Sequence, residues 1–236
     1  MTRELFREDG YLRTCDATVV AVSERGIVLD ATVFYAEGGG QPGDTGVLRR
    51  ADGSRIAIAD TKKDRDSGKH LHVPLAGASL PTVGETVQAE IDWDRRYRLM
   101  RMHTCLHLLC AVIEGGVTGG SVGTDRGRLD FDLPDRVLDK ERIEGELNRL
   151  IAEDRPLAMR WIGDDEIAAN PELVRTMSVR PPSGQGRVRV IEVAGVDLQP
   201  CGGTHVRSTG EVGRVRVGKI EKKGRHNRRV NVLFEG

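Results

Sequence analysis

Residues 92–116 read Asp-Trp-Asp-Arg-Arg-Tyr-Arg-Leu-Met-Arg-Met-His-Thr-Cys-Leu-His-Leu-Leu-Cys-Ala-Val-Ile-Glu-Gly-Gly, and their periodicity orders the chain on both sides. Leu99, Met102, Leu106, Leu109 and Ile113 recur at intervals of three and four, which predicts an amphipathic helix over about residues 94–114. Asp92 or Asp94 offers an N-cap, and Gly115-Gly116 a stop. His103 and His107, four apart, fall on one face a turn from each other. A second pair with the same spacing, Cys201 and His205, lies in the glycine-containing turn Cys201-Gly202-Gly203-Thr204-His205. Three of the six histidines fall in these two pentapeptides. Imidazole and thiolate are ligand types that zinc prefers, so the two pairs can converge on one tetrahedral ion. A lone His-x3-His on a helix is weak evidence for a metal; the second pair is what gives it weight. The zinc-protease pattern is excluded, because Thr104 stands where His-Glu-x-x-His requires Glu. Cys105 and Cys110 fall off the metal-facing stripe and read as small buried hydrophobes.

Upstream of the helix the texture is that of strands. Residues 14–22 are rich in β-branched side chains, residues 23–26 form a turn, and residues 26–30 follow as the hairpin partner. Residues 55–60 and 86–92 alternate polar with apolar, as in sheets with one wet face. Short strands at this spacing predict a small antiparallel β-barrel over residues 1–93. Within it lies Phe34-Tyr35-Ala36-Glu37-Gly38-Gly39-Gly40-Gln41-Pro42-Gly43-Asp44-Thr45-Gly46, whose glycines permit positive φ and close approach. It fits neither a P-loop nor a dinucleotide fingerprint. It reads either as a plain turn between strands or as a loop packed against the active site of the second domain.

Downstream, residues 94–236 read as an α/β domain, a sheet packed against helices, which makes the whole chain α+β. Gly119-Gly120 leads into a strand at 127–132. A helix after Pro134-Asp135 turns Val137, Ile143, Leu147, Leu150 and Ile151 inward. Residues 157–162 form a strand, with a short acidic helix over about 164–169. A further strand at 187–193 enters a turn at 195–200, immediately before Cys201. Residues 210–213 turn the chain back into strands at 214–220 and 229–234.

The totals bound the class. Apolar residues make up 38% and charged ones 31%, and aromatics are only 4%, so the core is built mainly of Val, Leu, Ile and Ala. No apolar leader or membrane-length run is present. Four cysteines without a disulfide pattern fit a reducing cytoplasm. Net charge is zero, yet residues 206–236 hold nine Lys or Arg against three acids. Lys222-Lys223-Gly224-Arg225-His226-Asn227-Arg228-Arg229 therefore reads as a loop able to neutralise phosphates, the bland alternative being a solvated turn.

These residues carry a family resemblance. His-Thr-x-x-His-Leu-Leu at 103–109, Gln199-Pro200-Cys201-Gly202-Gly203-Thr204-His205 and Lys219-Ile220-Glu221-Lys222-Lys223-Gly224 resemble the editing domain of alanyl-tRNA synthetase. They are more similar still to its free-standing relatives, the AlaX editing proteins. The glycine-rich stretch from Phe34 to Asp44 resembles the motif of the medium-length class, which carries an extra N-terminal barrel. The class II aminoacylation domain is missing, so the chain should not charge tRNA. The resemblance implies ATP-independent hydrolysis in trans of tRNA(Ala) wrongly esterified with serine or glycine, leaving Ala-tRNA(Ala) intact; the expected location is cytoplasmic, and the oligomeric state stays open with a monomer favoured. The resemblance carries the zinc ligands onto His103, His107, Cys201 and His205. It carries recognition of the serine hydroxyl onto Thr118, with Gln41 as a second catalytic candidate. Contacts to the tRNA acceptor end fall to Gly38, Gly39 and Gly40, and to Lys222, Lys223, Arg225 and Arg228.

Two other functions compete. The editing domain of threonyl-tRNA synthetase shares the metal-like motifs and removes serine from tRNA(Thr); the Gly-Gly-Gly-Gln loop and Gln199-Pro200 favour the alanine system. A non-catalytic RNA-binding module with a structural zinc would bind tRNA without turnover.

Overall fold

The computed structural model describes residues 2–134, 136–170, 173–174 and 186–235. The chain divides into two compact units, Met1–Tyr97 and Arg98–Gly236.

In the first unit the strands are β1 (Arg3–Glu4), β2 (Thr14–Ser23), β3 (Gly26–Leu29), β4 (Ala31–Thr32), β5 (Gly46–Arg50), β6 (Arg55–Lys63), β7 (His70–Pro74) and β8 (Thr86–Ile91). Six of them close a barrel in the order β2-β3-β7-β6-β5-β8, every neighbouring pair antiparallel. Period-two alternation turns Val19, Ile27, Leu29, Leu48, Ile56, Ile58, Val87 and Ile91 into one apolar core. β5 and β7 go beyond the sequence reading. Each is five residues long, and β7 holds two buried histidines, His70 and His72, in place of an apolar pair. His72 is paired on both sides, with Thr32 Oγ1 at 2.7 Å and Ile27 O at 3.1 Å. Burial pushes it down to about 3, and neighbouring His70 pushes the same way, so it stays neutral in the barrel wall.

The glycine-rich stretch forms a tight turn. Gly38 and Gln41 exchange backbone hydrogen bonds at 3.1 and 3.0 Å, and the two central residues, Gly39 and Gly40, have φ of 57° and 80°. Positive φ at both central positions is a type I′ turn, which is why glycine stands there twice. Gly43 has another reason: a Cβ there would lie 2.0 Å from Thr61 O.

Helix α1 (Trp93–Val112) begins in the first unit and continues into the second. Of the two cap candidates, Asp92 serves: its Oδ1 accepts from Arg95 N at 3.2 Å. Arg96, one turn in, is fully buried and ion-paired with Asp44, donating also to Val33 O at 2.7 Å and Gly10 O at 3.0 Å.

In the second unit the strands are β9 (Gly116–Ser121), β10 (Arg126–Asp132), β11 (Leu157–Gly163), β12 (Arg187–Val193), β13 (Asp197–Pro200), β14 (Val215–Lys223) and β15 (Asn227–Phe234), with helices α2 (Lys140–Ala152) and α3 (Asp164–Ala169). They make a four-stranded sheet, β14-β15-β10-β9, and a three-stranded one, β11-β12-β13. α2 satisfies backbone groups of β14. Asn148 donates to Val215 O and accepts from Val215 N, while Glu144 accepts from Val217 N.

Three expectations are corrected here. Gly119-Gly120 is not a lead-in but part of β9, paired with Asp130 and Leu129; Leu129 lies where a side chain at Gly120 would go, 2.8 Å from its Cβ position. The turn expected at 195–200 contains β13, which pairs with β12. Val137 is 96% exposed rather than inward, because α2 starts only after Asp139, whose side chain caps Arg142 N. Asp135, expected just ahead of that helix, lies outside the described residues.

Candidate metal centre

His103 and His107 stand a turn apart on α1, whose other side chains around them (Leu99, Met102, Leu106, Leu109) are buried. Cys201 and His205 stand on the turn that leaves β13. That turn is held from β12, where Arg189 Nη1 donates to Cys201 O at 2.7 Å and Gly203 O at 2.9 Å. The three-stranded sheet thus carries Cys201 to the helix. One ligand atom from each of the four residues lies within 4.8 Å of every other. Cys201 Sγ is 3.5 Å from His103 Nε2 and 3.2 Å from His205 Nε2. A tetrahedral zinc with ordinary Zn–S and Zn–N bonds has S···N edges of about 3.5 Å, so the donor set fits one ion. The three imidazoles are 6–9% exposed and Cys201 is half-buried.

The shifts of Cys201 and His205 suit a metal, while His107 holds a proton that a bound cation would have to displace. Burial raises the Cys201 thiol, but His103, His205 and His107 around it override that and hold it well below the ordinary cysteine value. Gly203 N–H also points at the sulfur, at 3.4 Å. Burial and the neighbouring His103 hold His205 well below its usual range, against the pull of Cys201. His107 moves the other way, up to about 9: burial lowers it, while Cys201 and Asp197 raise it more. Cys105, two residues from His103, lacks such neighbours, and burial alone pushes its thiol up to about 12. It is an inert core residue.

Around the four lie residues that the sequence reading did not assign. Thr104 Oγ1 is 3.1 Å from His205 Nδ1 and also accepts from Val206 N. Asp197 Oδ2 is 3.5 Å from His107 Nδ1, and Gln199 Nε2 donates to that same oxygen at 2.7 Å. Partners on Nδ1 select the tautomer that leaves Nε2 as the free donor. Thr104 sits inside the quoted His-Thr-x-x-His motif. Asp197 and Gln199 are four and two residues before Cys201, so their alternation on β13 was the available signal.

The other expected site residues have the following surroundings. Thr118 occupies the irregularity where β9 slips against β10, and its hydroxyl is engaged with Asp130 O at 3.1 Å and Asn227 Oδ1 at 3.2 Å. Gln41 is fully buried in the first unit, and Gly38, Gly39 and Gly40 form the turn beside it. Lys222, Lys223 and Arg225 are exposed at the β14–β15 hairpin, Lys223 paired with Glu221 at 2.9 Å. Arg228 differs: it is buried, its guanidinium donating to Pro134 O and Arg136 O.

Among known proteins, residues 11–95 match the family model of class II (A) tRNA synthetases, and residues 188–231 that of the threonyl and alanyl tRNA synthetase second additional domain. The chain is 36% identical to the alanyl-tRNA editing protein AlaX-M of Methanosarcina acetivorans, over 98% of both chains. It is 35% identical to AlaX-M of Saccharolobus solfataricus, again over 98% of each. It is also 35% identical to the alanine–tRNA ligase of Pyrobaculum calidifontis, over 94% of this chain but 25% of the ligase. Likeness along nearly the full length, with the two-motif donor cluster assembled in space, places this chain in the AlaX-M family of alanyl-tRNA editing proteins.

Proposed function

We propose that the protein hydrolyses the ester of serine wrongly attached to tRNA(Ala), using a zinc ion held by His103, His107, Cys201 and His205. Like its family, the chain is an aminoacyl-tRNA deacylase, a carboxylic ester hydrolase that edits alanyl-tRNA. The observation that carries the finer reading is the convergence of four soft and borderline donors within 4.8 Å. The chemistry such an ion supplies is Lewis acidity toward a carbonyl or water oxygen. Thr104, Asp197 and Gln199 orient the imidazoles, and Arg189 fixes the turn that carries Cys201.

Thr118 is the proposed partner of the serine hydroxyl. A polar site of this kind rejects a substrate without the matching group, so Ala-tRNA(Ala) is spared. The Gly38–Gly40 turn and Gln41 are proposed on the substrate side. Among the described residues no helix is long and apolar enough to cross a membrane, and the partner is tRNA.

The purified protein should release serine from Ser-tRNA(Ala) and leave Ala-tRNA(Ala) nearly untouched, with a chelator abolishing turnover. Equal rates on Ser-tRNA(Thr) would move the assignment to the threonine system. Binding without turnover would favour an RNA-binding module.

The exposed Lys222, Lys223 and Arg225 are the proposed phosphate-binding residues, with Arg228 bracing the hairpin from below. Replacing the three by Ala should weaken tRNA binding and lower the salt slope of log K by about 0.7–0.9 for each phosphate no longer neutralised. An unchanged slope would mean that the hairpin faces away from the tRNA.

A further inference from the structure

Strand register sorts the three-stranded sheet into two faces. Paired residues share a face, and the face alternates along each strand. Ile162, Val188, Val190 and Leu198 occupy one face, an apolar cluster packed with Ile167 of α3. Asp197, Gln199 and then Cys201 occupy the other, the face of the metal cluster. Trp161 belongs to this second face. It pairs directly with Arg189, and the Arg189 carbonyl in turn accepts from Cys201 N at 3.0 Å. Trp161, Arg189 and Cys201 therefore form a row across three adjacent strands, about 10 Å from first to last.

Sheet faces bury large aromatic rings when they can, yet Trp161 is 42% exposed and Met159, two residues back on the same face, 36%. One face of the indole carries a cation: Arg187 Cζ sits 4.8 Å from the ring centroid. An exposed indole with a guanidinium on one face, in a chain with only two tryptophans, is the kind of surface on which unpaired bases stack. A 3′-terminal nucleotide whose ester lies at Cys201 would carry its base over Trp161, since one nucleotide spans the two inter-strand spacings between them.

We propose that Trp161, with Arg187 on one face of its ring and Met159 beside it, is a stacking platform for the terminal, unpaired adenine of the tRNA substrate. The inference rests on the tRNA-editing reading above and adds to it the residue that grips the base. Trp161 is a positioning residue and does not touch the reacting ester.

Trp93→Phe leaves Trp161 as the sole tryptophan and so makes its fluorescence readable. Uncharged tRNA(Ala) ending in CCA should quench this fluorescence, and the same tRNA lacking its terminal adenosine should quench it several-fold less. In parallel, Trp161→Ala should raise KM for Ser-tRNA(Ala) about tenfold with kcat held within about twofold, and Trp161→Phe should retain most of the affinity. Absent quenching, equal quenching by the two tRNAs, or an unchanged KM in Trp161→Ala overturns the proposal. A wild-type protein that deacylates no aminoacyl-tRNA would instead sink the editing reading, while quenching would still report the stack.

Discussion

Cys201→Ala is expected to lose bound metal and deacylase activity together. Cys201 is the one sulfur among the four donors, it stands within 3.5 Å of two imidazole nitrogens, and the three histidines keep its thiol well below its ordinary value. Taking away the thiolate removes both a ligand and one of the two negative charges, the other being Asp197, that raise His107. Loss of a mere outer partner of a metal ligand costs about 10–100-fold in affinity or activity, so loss of the ligand itself should exceed that. Metal content by mass spectrometry and turnover of Ser-tRNA(Ala) are the two readouts. Cys105→Ala is the control: the residue lies on the same helix, buried and protonated, and should keep both. Full turnover in Cys201→Ala would disconnect the cluster from the reaction.

The largest stability effect is expected at Asp44. Its carboxylate accepts from Tyr35 N at 2.6 Å and is paired with Arg96, and both charged side chains are buried. Asp44→Ala leaves a guanidinium in the interior without its counter-charge, which costs about 3–5 kcal/mol. Arg96 would still reach Val33 O and Gly10 O, but carbonyl dipoles do not replace a charge. Chemical denaturation should show the loss in the transition of the first unit. Adding Arg96→Met should recover part of it, because the double variant buries no unpaired charge. A denaturation midpoint that does not move would refute this account of the glycine-rich stretch, which the pair ties to the first turn of α1.

The sequence by itself determined the parts that local periodicity encodes. The three-and-four spacing of Leu99 to Ile113 reads as a helix, and the β-branched run at 14–22 and the alternation at 55–60 and 86–92 read as strands. The spacing of four in each pentapeptide names the four donors before any fold is known. Tertiary structure decided the remainder, because long-range pairing leaves no local mark. Gly116–Ser121 is a strand only because β10 pairs with it and Leu129 occupies the space that side chains would need. β13 exists only against β12, and that ladder is what lines up Asp197, Gln199 and Cys201 on one face. Arg228 sits in a basic run that reads as phosphate-binding, yet it is buried and its guanidinium donates to three backbone carbonyls. Thr104 and Trp161 gain their places from partners about a hundred and about thirty residues away in the chain, respectively. Ligand chemistry is legible in residue type and spacing, whereas what orients the ligands and borders them depends on which strands meet.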